Sequence, residues 1–313
     1  MKKALISIGG NALIKRGESG TIEEQFQNAG AACGLVSRLL REGRGVIITH
    51  GNGPVVGNIV IRNEAAKAFV SPMPLYISDA DSEGGLGFMI QQTIYNEFKR
   101  AGITADVVTL VTQVVVDPAD EAFTRPDKPV GPYYREEEAE SLRDNKGWTL
   151  IEVSPRGYRR VVPSPRPRRI VEAAVIEKLS SEGVVVIAAG GGGVPVVESK
   201  DGMLAGVDAV VDKDRSTTML AINCGVRSIL NLTAVDNVYL NFKGPEHERR
   251  PLCELKIDDA RRYLKQGEFA PGSMGPKVEA AIEFIENGGE EVIITTPALI
   301  SEAMKGRAGT RIF

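Results

Sequence analysis

The sequence predicts an α/β chain: a three-layer αβα sandwich with a mainly parallel central sheet and a small inserted lid subdomain. Three observations carry this. Runs such as VVVIAAG and EVIITTP are apolar throughout rather than alternating, so both faces of those strands are expected to be buried. Helical patterns lie between the runs, which is the alternation that a parallel sheet requires. One proline-rich stretch breaks the rhythm and reads as an insertion.

Along the chain, ALISIGG is the first strand. Thr21-Ile22-Glu23-Glu24 has the pattern of a capping box, and a helix is expected from there to about Arg41. GVIITHG is the second strand, and Val55 to Lys67 the second helix. After SPMP, Glu83 to Arg100 reads as helix and DVVTLVTQVVV as one buried strand. VVVIAAG, SILNLTAV and EVIITTP are three more strands, and KVEAAIEFIENGG, opening at Lys277, is a further helix. One domain is expected over residues 1–313, with a first lobe over 1–205 and a second over 206–313. The insertion, 118–167, holds eight prolines from Pro118 to Pro167, the acids Glu136 to Glu140 and a basic cluster from Arg156 to Arg169. It is too long for a simple loop.

Composition narrows the function. The chain has 313 residues, 42% hydrophobic and 25% charged, with a formal net charge of −3. That balance argues against a general nucleic-acid binder. Cys33, Cys224 and Cys253 show no CxxC spacing, so a reduced, cytoplasmic setting without structural zinc is expected. The apolar N-terminal run is interrupted by Gly9, Gly10 and Asn11 and lacks a small-residue cleavage site, which disfavours a secretory leader. No run of 18 apolar residues predicts a membrane span.

Four glycine-rich turns stand out: Gly9-Gly10-Asn11, Gly51-Asn52-Gly53, Gly190 to Gly193, and Gly272 to Gly275. The first three follow apolar strands, where open α/β sheets bind ligands. Such turns bring backbone amides close to an anion, and a following helix adds its positive end. Each turn taken alone reads as an ordinary turn; three in corresponding positions point to an anion site. There is no GxxxxGK[ST] motif. GNGPVVG lacks the downstream acid that a dinucleotide site wants. With two histidines, His50 and His247, and no Ser-His-Asp or HExxH pattern, general-base chemistry has few candidates. Phosphoryl transfer to an acceptor that is already anionic needs no base; it needs positioning and positive charge. Lys128, Lys213 and Lys277 sit beside turn-forming or acidic neighbours, although each alone reads equally well as a surface lysine. Asp208, Asp212 and Asp214 surround Lys213 and are candidates for magnesium, directly or through water.

Taken together, the motifs resemble the carbamate kinases, which have the amino-acid kinase fold. The matching stretches are GGNAL (9–13), HGNGP (50–54), VTQVVVDPAD (111–120), KPVGPYY (128–134), RRVVPSP (159–165), VIAAGGGGVPV (186–196), VDKD (211–214) and PGSMGPKVEAA (271–281). The resemblance covers essentially the whole chain. It implies ATP and ADP, Mg2+, and carbamate interconverted with carbamoyl phosphate, in a cytoplasmic homodimer of arginine metabolism that binds neither nucleic acid nor membrane. It also implies roles. Gly9, Gly10, Asn11, Gly51, Asn52 and Gly53 would cradle carbamate and the transferring phosphate in the first lobe. Lys128 would lie in the lid, Lys213 and Lys277 would neutralise the transition state, and Asp214 would orient lysines or metal. Asp236, Tyr239, Gly272 and Met274 would line the nucleotide slot of the second lobe. Three stretches depart from the family pattern: Val55 stands where Gln is usual, NFKGPEH reverses a Gly-Lys order, and PLYISDADSEGGLGF is looser. A kinase of the same fold for another small carboxylate or phosphate, and a catalytically silent nucleotide-binding regulator, are the alternatives.

Overall fold

The structure is a computed structural model that describes residues 1–14, 17–30, 33–242, 244–270 and 272–313. Its chain opens with β1 (Lys3–Ile8), the short α1 (Gly10–Leu13), α2 (Ile22–Ala29), α3 (Cys33–Arg41) and β2 (Gly45–His50). Next come α4 (Gly53–Ala66), α5 (Leu75–Ala101), β3 (Val107–Thr109) and β4 (Gln113–Val116). An excursion carries β5 (Lys128–Tyr134), α6 (Glu136–Lys146), β6 (Leu150–Ser154) and β7 (Gly157–Val162). The chain returns through β8 (Pro167–Ile170), α7 (Ala173–Ser181), β9 (Val185–Ile187), β10 (Val194–Glu198) and β11 (Leu204–Gly206) to α8 (Lys213–Asn223). The remainder holds β12 (Ser228–Leu232), β13 (Val238–Leu240), β14 (Arg250–Leu252), β15 (Glu254–Leu255), α9 (Ile257–Lys265), α10 (Met274–Glu286), β16 (Glu291–Thr295), α11 (Ile300–Ala303) and β17 (Thr310–Ile312).

Eight strands form the central sheet in the order β15-β17-β16-β12-β1-β2-β9-β3. All pairings are parallel except β16 with β17. Alternating side chains serve two cores. Leu5, Ile47, Val186 and Ile229 face α7, α8, α9 and α10. Ala4, Ile6, Val46, Ile48 and Leu230 face α3, α5 and α11. Burial on both faces is why these strands read as unbroken apolar runs.

Three elements differ from the sequence expectation. The helix expected from Thr21 to Arg41 is two helices. Its capping box is present, with Thr21 Oγ1 accepting Glu24 N–H and Glu24 accepting Thr21 N–H. But α2 ends at Gly30, a residue that holds helix poorly. DVVTLVTQVVV is two strands in different sheets. The Thr112 hydroxyl bonds Leu110 O and receives Ala189 N–H, turning the chain from the central sheet into a four-stranded sheet, β11-β10-β4-β8. The helix expected from Glu83 starts eight residues earlier, at Leu75. Its first amide is taken by the carboxylate of Asp208, 133 residues away in sequence, a partner that local patterning does not reveal.

Between Val116 and Pro167 the excursion builds an antiparallel sheet, β5-β7-β6, covered by α6. Its base is apolar: Val130 and Val162 pack with Val56, Val60, Leu75 and Val210. Arg159 donates twice to Gly131 O, where the pairing of β5 with β7 is interrupted between Val130 and Tyr134. Among the described residues, no helix is long and apolar enough to cross a membrane.

Candidate active site

The strands β1, β2 and β9 are neighbours in the sheet, and at their carboxyl ends stand the turns at Gly9, Gly51 and Gly190. The turns press on one another. A Cβ on Gly51 would stand 2.6 Å from the Gly10 nitrogen, and one on Gly191 would stand 2.1 Å from Asn52 Nδ2. Only glycine allows that approach. Gly9, Gly10, Gly51, Asn52 and Gly53 line a cleft of about 1130 Å³. The side chain of Asn11 lies outside the described residues. Lys128, Lys213, Asp214 and Lys277 line the same cleft, as do Tyr239, Gly272 and Met274.

Its charge centre is Asp214, in the first turn of α8, whose N-cap is the side chain of Asp212. Asp214 Oδ1 accepts from Lys213 Nζ at 2.9 Å and from Asn231 Nδ2 at 3.1 Å, and Oδ2 accepts from Lys277 Nζ at 2.8 Å. Lys213 also donates to Ser7 Oγ at 2.6 Å. Lys277 comes from the first turn of α10, delivered after Gly272, whose φ of +76° suits a residue without a Cβ. Burial alone would raise the Asp214 carboxyl, but the two ammonium groups hold it well below the usual carboxylate range. Burial lowers Lys213, with Asp214 opposing and Lys277 assisting. Two largely buried cations thus share one carboxylate, leaving one net positive charge in this cluster.

Lys128 opens β5 of the excursion and is paired with Asp212 Oδ2 at 2.8 Å. On the other side of the cleft, Tyr239 lies close to Phe242. Asp236 is not among the residues that line the cleft. Its Oδ1 accepts the Tyr239 hydroxyl at 2.8 Å and the Asn237 amide at 3.0 Å, so it fixes the ring that does. Lys243 and Pro271, within the quoted NFKGPEH and PGSMGPK stretches, lie outside the described residues.

His50 is fully buried beneath the turns. Its Nδ1 lies 3.4 Å from Gly51 O, and its Nε2 has no hydrogen-bond partner among the described residues and lies close under Gly190. Burial lowers its pKa to about 4, partly opposed by the Gly51 carbonyl and reinforced by Lys213. It is therefore neutral and sealed off at physiological pH. His247 is exposed.

Sequence reasoning did not single out Ser7 and Asn231, which hold the two partners of the central ion pair. With Thr49, whose hydroxyl meets that of Thr217 at 2.8 Å, they are buried polar residues in largely apolar strands. All three face α8. A polar residue near the carboxyl end of each of these buried strands was the available signal. No group of three His, Cys, Asp or Glu side chains among the described residues is arranged to hold a metal. Both Asp214 oxygens are already taken by protein donors, so the donor set does not fit a metal ligated directly by the chain.

The sequence profile of the Amino acid kinase family matches residues 2–296. The chain belongs to that family. Among its amino acid kinase relatives, the carbamate kinase of Pyrococcus furiosus is 45% identical over 313 residues, 99% of either chain. That of Thermococcus kodakarensis is 43% identical over 315 residues, 100% of this chain and 99% of the relative. The solved structure of carbamate kinase from Giardia lamblia bound to AMP-PNP superposes with a TM-score of 0.92 at 42% identity, covering 100% of this chain and 98% of that one.

Proposed function

We propose that this amino acid kinase is a carbamate kinase, interconverting ATP and carbamate with ADP and carbamoyl phosphate. The observation that carries the reading is the Lys213–Asp214–Lys277 cluster facing the glycine turns across one cleft. A carbamate oxygen attacks the γ-phosphorus of ATP. The new O–P bond forms as the bond to the β,γ-bridging oxygen breaks, and that electron pair leaves on ADP. Negative charge shifts onto the transferring oxygens, and Lys213 and Lys277 are already oriented to receive it. Carbamate arrives as an anion, so no proton must be removed, and the buried neutral His50 is not needed as a base.

Gly9, Gly10, Gly51, Asn52 and Gly53 supply the acceptor side, with Asn11 in the same turn. Tyr239, Gly272 and Met274 supply the nucleotide side, with Asp236 acting through Tyr239. Magnesium belongs on the nucleotide phosphates rather than in a protein-built cage, with Asp214 near it only through water. The excursion serves as a lid that places Lys128 over the acceptor and excludes water, which guards a hydrolysable acyl phosphate. The closeness to full-length carbamate kinases supports the choice of acceptor. The same closeness favours a cytoplasmic homodimer of arginine metabolism, and exposed Phe69, Phe88 and Tyr95 provide apolar surface for a second copy. Purified protein given ADP, Mg2+ and carbamoyl phosphate is expected to form ATP; no ATP under those conditions overturns the reading.

A further inference from the structure

We propose that Glu83 is a positioning residue for phosphoryl transfer. By accepting the Gly190 and Thr112 amides it fixes the Gly190–Gly193 turn, and through that turn it sets where Asn52 and the Lys213–Asp214 pair stand. Glu83 lies on α5 at 1% exposure, and no cation is paired with it among the described residues. Its Oε1 accepts Gly190 N–H at 2.8 Å and its Oε2 accepts Thr112 N–H at 3.1 Å. The Thr112 hydroxyl in turn accepts Ala189 N–H at 2.9 Å. Together they pin a turn made of one strained residue and three freely mobile ones: Ala189 has φ +49°, a region that a side chain disfavours and that persists only where the surroundings over-determine it, and Gly191, Gly192 and Gly193 have φ of +69°, +112° and +83°, which glycine adopts without strain but also leaves readily.

The turn so fixed is a wedge between the two halves of the cleft. On one side Gly191 packs directly on the Asn52 amide, whose Nδ2 also donates to Ser82 Oγ of α5 at 2.8 Å. On the other, Gly192 O accepts the hydroxyl of Ser216 in α8 at 2.7 Å, and Gly192 lies under Val211 O. Lys213 and Asp214 open that same helix. One buried carboxylate thereby holds the acceptor turn and the charge centre in register. A carboxylate takes two N–H donors; the nearly isosteric glutamine must turn its NH2 toward one of them.

This inference rests on the reading of the cleft as a carbamate kinase site. The test compares Glu83→Gln with Glu172→Gln. Glu172 likewise accepts a backbone amide, Gln113 N–H at 2.7 Å, but does not touch the turn. Glu83→Gln is expected to lower kcat by about tenfold or more, since small misplacements of reacting groups carry such costs. ADP affinity by calorimetry should be unchanged, and Glu172→Gln should keep kcat. Amide hydrogen exchange at 190–193 and 212–216 is expected to quicken in Glu83→Gln and not in Glu172→Gln. If Glu83→Gln does not fold, Thr112→Val, which removes the Ala189 acceptor, is expected to show the same kcat loss and exchange pattern. A kcat within about twofold of wild type, or unchanged exchange in the turn, overturns the proposal. Wild type that makes no ATP from carbamoyl phosphate defeats the carbamate kinase reading alone, and exchange then decides the role of Glu83.

Discussion

Lys213 and Lys277 come from different helices and end on the two oxygens of one carboxylate, an arrangement that fixes both ammonium groups before any substrate is bound. Lys277→Ala is expected to fold, since the side chain contributes no core packing, and to lose about 10²–10³ in kcat, the usual effect of removing one electrostatic stabiliser of a transition state. Steady-state rates with ADP and carbamoyl phosphate check this, and activity within about threefold of wild type would take Lys277 out of the chemistry. Buried Asp79 on α5 makes a second prediction. Burial pushes it up to about 8, opposed by the Asn52 amide and aided by Asp208. The folded state then keeps a proton that the unfolded chain has released. Stability from this group is complete below its ordinary value and is lost as pH rises toward 8. His50, depressed in the folded state, works the other way, gaining stability between about pH 4 and 6.5, so above 6.5 Asp79 dominates. From pH 6.5 to 8 Asp79 is expected to cost about 2 kcal/mol of unfolding free energy. Urea titrations at the two pH values should show a smaller loss in Asp79→Asn; an equal loss in both proteins removes Asp79 as the source.

At the scale of elements, the excursion is joined to the body by a narrow neck. Val116 of β4 and Pro167 of β8 are paired across an antiparallel ladder, so its two ends already lie side by side. Replacing Pro118 to Pro165 with a short Gly-Ser linker is expected to preserve the central sheet and ADP binding, because Tyr239, Gly272 and Met274 lie elsewhere. Transfer should be abolished, since Lys128 and the cover over the acceptor go together. The loss of Val130 and Val162 uncovers Val56, Val60, Leu75 and Val210, so Tm should fall as well. Calorimetry with ADP and a rate assay on the trimmed protein read the two halves separately. Near-wild-type turnover by a folded trimmed protein would deny the lid and Lys128 a catalytic role.

The molecule as a whole presents its site along one edge of a single eight-stranded sheet, with each helix layer closed over its own apolar core. What remains apolar and outside is concentrated in part on α5 and the turn before it: Phe69 is 89% exposed, Phe88 54% and Tyr95 49%. Large apolar side chains left exposed are candidates for an association surface. Sedimentation equilibrium is expected to give twice the 33.6 kDa of one chain. Phe69→Ser together with Phe88→Ser is expected to shift the mass toward one chain; a monomeric wild type at micromolar concentration would refute the dimer.

The sequence by itself determined the layered parallel architecture, because strands buried on both faces must be apolar throughout. It also marked the glycine turns, because close backbone approach excludes every larger residue, and its motifs pointed to the three lysines. Tertiary structure decided what no local pattern encodes. Asp208 starts α5 from 133 residues away, and Thr112 sends one apolar run into two sheets. Asp236 turned out to hold Tyr239 instead of lining the cleft, since a carboxylate near a predicted pocket reads the same in sequence whichever way it faces. Ser7, Asn231 and Glu83 were silent for a related reason. A polar side chain acquires its meaning from the partner brought to it across the fold, and the distance along the chain to that partner is set by topology, not by periodicity.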